Sequence, residues 1–129
     1  MKIDHLGIWV SDLEAMRRFY VKYFGMISGD KYINEQKGFS SYFLSFENSN
    51  IRLEIMHKNA MTDNDLSRGI KMGLAHFAIS VGSESAVNDL TESLRNNYYA
   101  IASEPRRTGD GYYESVILDP EGNFVEICV

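Results

Sequence analysis

The chain has 129 residues, of which 44% are hydrophobic, and this length is typical of one domain with its own core. Its 18 acidic and 13 basic residues give a net charge of −5, which does not fit a protein that binds the backbone of DNA or RNA. The apolar runs are only as long as strands, and the amino terminus lacks the hydrophobic region of a signal peptide. A single cysteine, Cys128, permits no internal disulfide. These features predict a cytoplasmic protein without nucleic-acid or membrane partners.

The first half of the chain is predicted to form a strand, a helix and three further strands. Residues 3–10 show the alternation of a strand. A capping box at Ser11-Asp12-Leu13-Glu14 predicts the start of the helix, and Gly25 stands where a left-handed residue commonly ends one. Strand-like runs follow at about 26–33, 39–46 and 50–57, with a hairpin turn at residues 48–50.

The second half repeats this order with a strand over 74–81, a helix from about Ser83 and three more strands. Asn96 and Asn97 are predicted to end the helix, because Asn tolerates the left-handed conformation better than most residues. The run Asp119-Pro120-Glu121-Gly122 predicts a type I turn before the last strand, residues 123–129.

The repeated order predicts an α+β fold in one domain, residues 1–129. Two βαβββ modules, at about 1–57 and 74–129, are expected to form a curved, partly closed mixed sheet, since each module alone is too small to bury its sheet. Residues 58–73 are polar and irregular, which is typical of a linker or a lid.

Two short sequence patterns occur once in each half. The run that begins at His5 recurs at His76, and the run around Glu54 recurs around Glu126. Glu54 follows His5 by 49 residues (54 − 5), and Glu126 follows His76 by 50 (126 − 76). Because both the context and the interval are preserved, the chain reads as a duplicated module that supplies two His and two Glu to one metal ion.

Strand alternation places these four residues on equivalent faces. In the first strand Leu6 and Ile8 are predicted to face the helix while His5 faces away, and the other three strands follow the same rule. Two carboxylates that converge on one face repel each other unless a cation compensates their charge. Imidazole nitrogens beside carboxylates suit zinc, nickel, iron, cobalt or manganese, so a divalent metal ion is the expected cofactor.

Four segments in order resemble a known family. They are His5-x-x-Ile8-x-Val10, Phe19-Tyr20-x-x-x-Phe24-Gly25-Met26, His76-Phe77-Ala78-Ile79-Ser80-Val81 and Asp119-Pro120-Glu121-Gly122-Asn123-x-x-Glu126. Over nearly its whole length the chain resembles the vicinal oxygen chelate superfamily, which contains glyoxalase I (lactoylglutathione lyase), bleomycin and fosfomycin resistance proteins, epimerases and extradiol dioxygenases. The quartet His5, Glu54, His76 and Glu126 matches the glyoxalase I ligand pattern, whereas the dioxygenases use two His and one Glu.

The resemblance implies a metal-dependent lyase or isomerase that acts on the hemithioacetal of a 2-oxoaldehyde, such as methylglyoxal, and a thiol. Nickel or zinc is the expected metal, with cobalt, manganese or iron as alternatives. Glu54 or Glu126 would move the proton, and the pseudo-symmetry leaves the choice open. A homodimer is expected, with each metal site formed within one chain or exchanged between chains. The alternatives are another metal-dependent activity, dioxygenase or epimerase, and a non-catalytic binding or resistance protein.

Three further residues are candidate substrate contacts. Many glutathione-dependent members carry an Arg where this chain has Trp9, so the chain departs from their pattern at this candidate contact. Arg106 and Arg107, in a predicted loop at residues 105–109, are candidates for binding substrate carboxylates. A solvated Arg pair and a tryptophan that fills the core are the alternative interpretations.

Two other reactive side chains are predicted to have structural roles. His57 lies three residues after Glu54 and therefore on the other face of the strand. Cys128 shares a face with Glu126, but no basic neighbour is evident that would activate a thiol, so packing is expected.

Overall fold

The computed structural model describes residues 1–61 and 68–129, and it confirms the predicted α+β class. The described residues form two α-helices, one short 3-10 helix and nine strands, and the chain divides into two compact units, Met1–Asn64 and Asp65–Val129. Each unit has its own mixed sheet and its own helix. The strands thus form two mixed sheets, one in each unit. Neither helix in the described ranges is long and apolar enough to cross a membrane.

Unit 1 contains five strands, one α-helix and one short 3-10 helix. These are β1 (His5–Trp9), α1 (Leu13–Phe24), β2 (Ile27–Ser28), β3 (Tyr32–Asn34), the 3-10 helix (Glu35–Lys37), β4 (Phe39–Ser45) and β5 (Arg52–Lys58). The strand order is β1-β5-β4-β2, and β3 also pairs with β4. Only β1 and β5 are parallel among these pairs, and their register sets Gly7 beside Glu54.

Two predicted boundaries in unit 1 were wrong. Asp12, rather than Ser11, caps α1, because its side chain accepts a hydrogen bond from the Ala15 amide at 2.9 Å. The strand predicted at 26–33 is divided into β2 and β3, since residues 29–31, which include the turn formers Gly29 and Asp30, interrupt the strand. Gly25 does end α1 in the left-handed conformation, with φ of 65°.

Unit 2 contains four strands and one helix. These are β6 (Phe77–Ser80), α2 (Glu84–Asn96), β7 (Ile101–Arg107), β8 (Tyr113–Leu118) and β9 (Phe124–Cys128). The strand order is β6-β9-β8-β7, in which β6 and β9 are parallel and the other pairs are antiparallel. The predicted turn before β9 is confirmed, because the Gly122 amide donates to the Asp119 carbonyl at 3.0 Å.

Three local predictions in unit 2 need correction. The strand predicted over 74–81 is shorter, so His76 lies immediately before β6. Helix α2 ends at Asn96 as predicted, but the left-handed residue is Tyr98, with φ of 65°, while Asn97 has φ of −99°. Arg106 and Arg107 belong to β7 rather than to a loop. Strand β7 is an edge strand with shifts in register, and such a strand tolerates Pro105 within it.

The alternation predicted for the four strands that carry the pattern is present. Their inward residues are buried, as shown by Ile8, Leu53, Ile55, Ile79, Val125 and Ile127. The opposite faces carry the histidines and glutamates. Burial of these aliphatic side chains stabilises each unit and holds its polar face in register.

The predicted linker falls partly outside the described residues, because positions 62–67 are not described. Its start belongs to β5, which continues to Lys58. Its later part belongs to unit 2, in which the Arg68 guanidinium donates a hydrogen bond to the Asn123 side chain at 3.2 Å. Gly69 has φ of 73° and lies against Phe124 and the Ala75 carbonyl.

Candidate metal centre

The candidate ligands of unit 1 lie next to each other. His5 Nε2 is 3.7 Å from Glu54 Oε2, and their side chains are 41% and 15% exposed. The pair arises because β1 and β5 are parallel neighbours that present His5 and Glu54 on the same face. The Phe43 ring meets the imidazole edge-on, with 5.4 Å between ring centres.

Unit 2 repeats this arrangement. His76 Nε2 is 3.3 Å from Glu126 Oε2, with exposures of 48% and 16%. Here too a parallel pair of strands, β6 and β9, sets the histidine beside the glutamate. Each unit therefore presents one exposed imidazole beside one largely buried carboxylate.

Asp4 orients the first imidazole, a contact that the sequence patterns did not reveal. Its Oδ2 lies 3.0 Å from His5 Nδ1 and also accepts a hydrogen bond from Arg52. The hydrogen bonds from His5 and then Arg52 lower the pKa of the Asp4 carboxyl, so it remains ionised. A carboxylate on one ring nitrogen fixes the imidazole and leaves the other nitrogen to bind a metal. In His5 that second nitrogen is the one that faces Glu54.

Glu114 is a second residue that the sequence patterns missed. Its side chain is 12% exposed, lies 3.5 Å from the Arg106 guanidinium and is on the same face of the sheet as Glu126, in the adjacent strand. Burial, followed by the charge of Glu114, raises the pKa of the Glu126 carboxyl. The Asp119–Gly122 turn fixes the register of β8 and β9, so counting outward from that turn would have set Glu114 beside Cys128.

The donor set fits a divalent cation. Neither Glu54 nor Glu126 is ion-paired with a lysine or arginine among the described residues, although both carboxylates are largely buried. Within each unit, the described residues include no group of three His, Cys, Asp or Glu side chains able to hold a metal ion. Each unit thus presents one imidazole nitrogen beside one carboxylate oxygen, a borderline combination of donors suited to first-row metals.

The predicted substrate contacts have varied surroundings. Trp9 is 42% exposed, shares a face with His5, and meets the Phe39 ring edge-on at 6.1 Å. Arg106 donates to the Ser103 hydroxyl at 2.5 Å in addition to its contact with Glu114. Arg107 pairs with Glu84 and donates to the Gly111 carbonyl at 3.1 Å. Both arginines therefore have intramolecular partners that a substrate carboxylate would have to replace.

His57 and Cys128 have surroundings consistent with structural roles. His57 Nδ1 lies 2.9 Å from the Val10 carbonyl oxygen, which ties the end of β5 to β1. The Cys128 thiol is buried. Burial, followed by the charges of Glu126 and Glu114, raises the pKa of this thiol, so the reactive thiolate is disfavoured.

Comparison with known proteins finds relatives over the whole chain. The chain is 28% identical to the uncharacterized protein YqjT of Bacillus subtilis (strain 168), covering 97% of this chain and 96% of YqjT. Glyoxalase I from Zea mays superposes with a TM-score of 0.81 at 25% identity over 98% of this chain, which spans only 44% of the maize chain. The trypanothione-dependent glyoxalase I of Leishmania major has a TM-score of 0.77 at 22% identity, covering 99% and 86% of the two chains, and shows the fold alone.

A domain from Frankia sp. EAN1pec, described as a glyoxylase/bleomycin resistance protein/dioxygenase domain, has a TM-score of 0.84 at 16% identity. It covers 100% of this chain and 97% of its own, so the complete arrangement of elements is that of the vicinal oxygen chelate fold. The profile of the Glyoxalase/Bleomycin resistance protein/Dioxygenase superfamily matches residues 2–127. With the profile, the fold and the duplicated module in agreement, the chain belongs to the Glyoxalase/Bleomycin resistance protein/Dioxygenase superfamily.

Proposed function

We propose that the protein is a metal-dependent lyase or isomerase of the glyoxalase I type that acts in the cytoplasm. It would convert the hemithioacetal of a 2-oxoaldehyde and a thiol into the thioester of a 2-hydroxy acid, and so detoxify methylglyoxal. The observation that carries this proposal is the repeated pair, with 3.7 Å between His5 and Glu54 and 3.3 Å between His76 and Glu126. The similarity to maize glyoxalase I over 98% of this chain supports it.

The four residues of the two pairs would hold one divalent ion, nickel or zinc in the first instance and cobalt, manganese or iron otherwise. When bound, the ion supplies Lewis-acid polarisation of the vicinal oxygens of the substrate. The chain itself supplies the proton transfer, in which Glu54 or Glu126 removes the proton from C1 and returns it to C2. Asp4 keeps His5 in one orientation during this exchange.

Trp9, Arg106 and Arg107 are proposed contacts for the remote part of the substrate. Trp9 lies on the same face as His5, so a substrate at the first pair would lie beside the indole. A carboxylate bound by Arg106 or Arg107 would compete with Glu114 or Glu84, respectively.

Purified protein loaded separately with nickel, zinc, cobalt or manganese is expected to convert the methylglyoxal hemithioacetal of glutathione or another low-molecular-weight thiol. The measurement is the growth of thioester absorbance, together with elemental analysis of the bound metal. Ferrous iron with oxygen uptake would instead indicate a dioxygenase. Protein that binds none of these metals would indicate a binding or resistance protein and contradict the proposal.

We also propose that the protein is a homodimer and that the four ligands of each site come from one chain. A tethered half meets its own partner at high effective concentration, which favours this arrangement. An inactive His5→Ala variant mixed with an inactive His76→Ala variant is therefore expected to regain no activity after subunit exchange. Recovery of activity would show that His5 and Glu54 of one chain combine with His76 and Glu126 of another. Size-exclusion chromatography with light scattering provides the oligomeric state of each mixture.

A further inference from the structure

We propose that Glu114 supports the metal centre, because its carboxylate beside Glu126 adds negative charge that increases the affinity of the site for a divalent cation. Arg106 in turn holds Glu114. This inference rests on the proposed metal-dependent function. It gives one residue outside the four-ligand pattern a part in metal binding.

The strand register places Glu114 beside the ligand. In the antiparallel pair β8 and β9, Val116 lies opposite Glu126 and Glu114 lies opposite Cys128. Glu114 is therefore on the same face as Glu126, on the adjacent strand and about two residues, or ~7 Å, farther along. The Glu114 side chain is only 12% exposed, so its carboxylate is largely withdrawn from solvent on the face that carries Glu126.

The negative charges of Glu114 and Glu126 favour a bound cation. Two partly buried carboxylates on one face of neighbouring strands are unfavourable unless positive charge compensates them. Arg106 offers part of that charge, but its side chain is 52% exposed, its closest nitrogen is 3.5 Å from Glu114, and it also bonds Ser103. A divalent ion held by His76 and Glu126 would supply the remaining positive charge. The proximity of the Glu114 and Glu126 carboxylates therefore favours the metal-bound form of the protein.

Unit 1 shows that the module does not need a carboxylate at this place to fold. The residue opposite Met56 in β4, which corresponds to Glu114 opposite Cys128, is the buried Ser41. Beside Glu54 itself lies Phe43. The two units thus have similar folds, although different residues surround Glu54 and Glu126. A neighbouring carboxylate at this position, Glu114, is found only beside the His76–Glu126 pair.

The test compares Glu114→Gln with a matched control, Glu104→Gln. Glu104 lies in β7 of the same sheet but is 66% exposed and paired with Arg95, so its substitution removes the same charge away from the site. Cobalt(II) is titrated into each metal-free full-length protein, and its visible absorption gives both the affinity and the coordination. Thermal unfolding of the metal-free proteins is measured in parallel.

Glu114→Gln is expected to lower cobalt affinity by about 10–100-fold, the range found when a partner of a metal ligand is removed. The same change is expected to leave the metal-free unfolding midpoint unchanged or raise it, because it removes a like-charge contact. Glu104→Gln should bind cobalt as the wild type does. A purely structural ion pair with Arg106 predicts the reverse pattern, a lower metal-free midpoint with unchanged affinity.

Unchanged cobalt affinity in Glu114→Gln, alongside wild-type protein that binds cobalt, would overturn this inference and leave the proposed function standing. Wild-type protein that binds no cobalt would overturn both. The two failures are therefore distinguishable in one experiment.

Discussion

Replacement of Glu126 with Gln is expected to abolish turnover and weaken metal retention. The amide has nearly the same shape as the carboxylate but is neutral, so it is a poorer ligand and no longer a base. Loss of general base catalysis alone typically lowers the rate by about 10²–10⁴-fold. Glu126 is 16% exposed and contacts His76, so water would not readily take its place. Thioester formation and elemental analysis measure the two effects separately.

The exposed Glu104→Gln variant serves again as the control, because it removes one carboxylate from the same unit without touching the pair. Far-ultraviolet circular dichroism of both variants checks that the fold is retained. Undiminished metal content and activity in Glu126→Gln would refute the role of Glu126 as a ligand and with it the four-residue site.

Replacement of Gly69 with Ala is expected to destabilise the protein by at least about 2 kcal/mol. Gly69 has φ of 73°, a conformation that L-residues rarely adopt. An added Cβ would lie 2.6 Å from the Ala75 carbonyl oxygen and 2.6 Å from Cδ2 of Phe124. The carbonyl belongs to backbone and cannot rotate away, so the chain immediately before His76 must shift. Urea denaturation measures the loss in the free energy of unfolding.

Gly111→Ala is the matched control for this variant. Gly111 also has a positive φ, of 97°, but a Cβ there would meet nothing within 4 Å. Its substitution therefore reports the cost of backbone strain without a steric clash. Equal losses of stability in the two variants would contradict the proposed clash at Gly69.

The class of fold and the four candidate ligands could be predicted because they depend on short-range patterns. The alternation of residues along each strand predicts that His5 lies on the face opposite Ile8 and that Glu126 lies on the face opposite Val125. In the structure Ile8 and Val125 are buried, as this alternation requires. Gly25 could be assigned to the end of a helix for the same reason, since its conformation is a local property.

The errors and omissions concern contacts between strands. Pro105 and Gly109 suggested a loop around Arg106, whereas pairing of β7 with β8 extends the strand through both arginines. Similarly, no sequence pattern distinguishes Glu114 from other strand residues, and only the register of β8 and β9 places it beside Cys128. Asp4 and Arg52 are 48 residues apart in sequence and were not linked by any periodic pattern. Such pairings are set by the packing of the whole sheet rather than by local propensity.

Trp9 has a consequence for spectroscopy. It is the only tryptophan in the chain, it is 42% exposed, and it lies on the face that carries His5. Tryptophan fluorescence therefore comes entirely from unit 1 and is sensitive to the solvent on that face. Unit 2 has tyrosines but no indole, so events at His76 and Glu126 contribute no tryptophan emission of their own. Trp9 is therefore an intrinsic fluorophore that distinguishes unit 1 from unit 2.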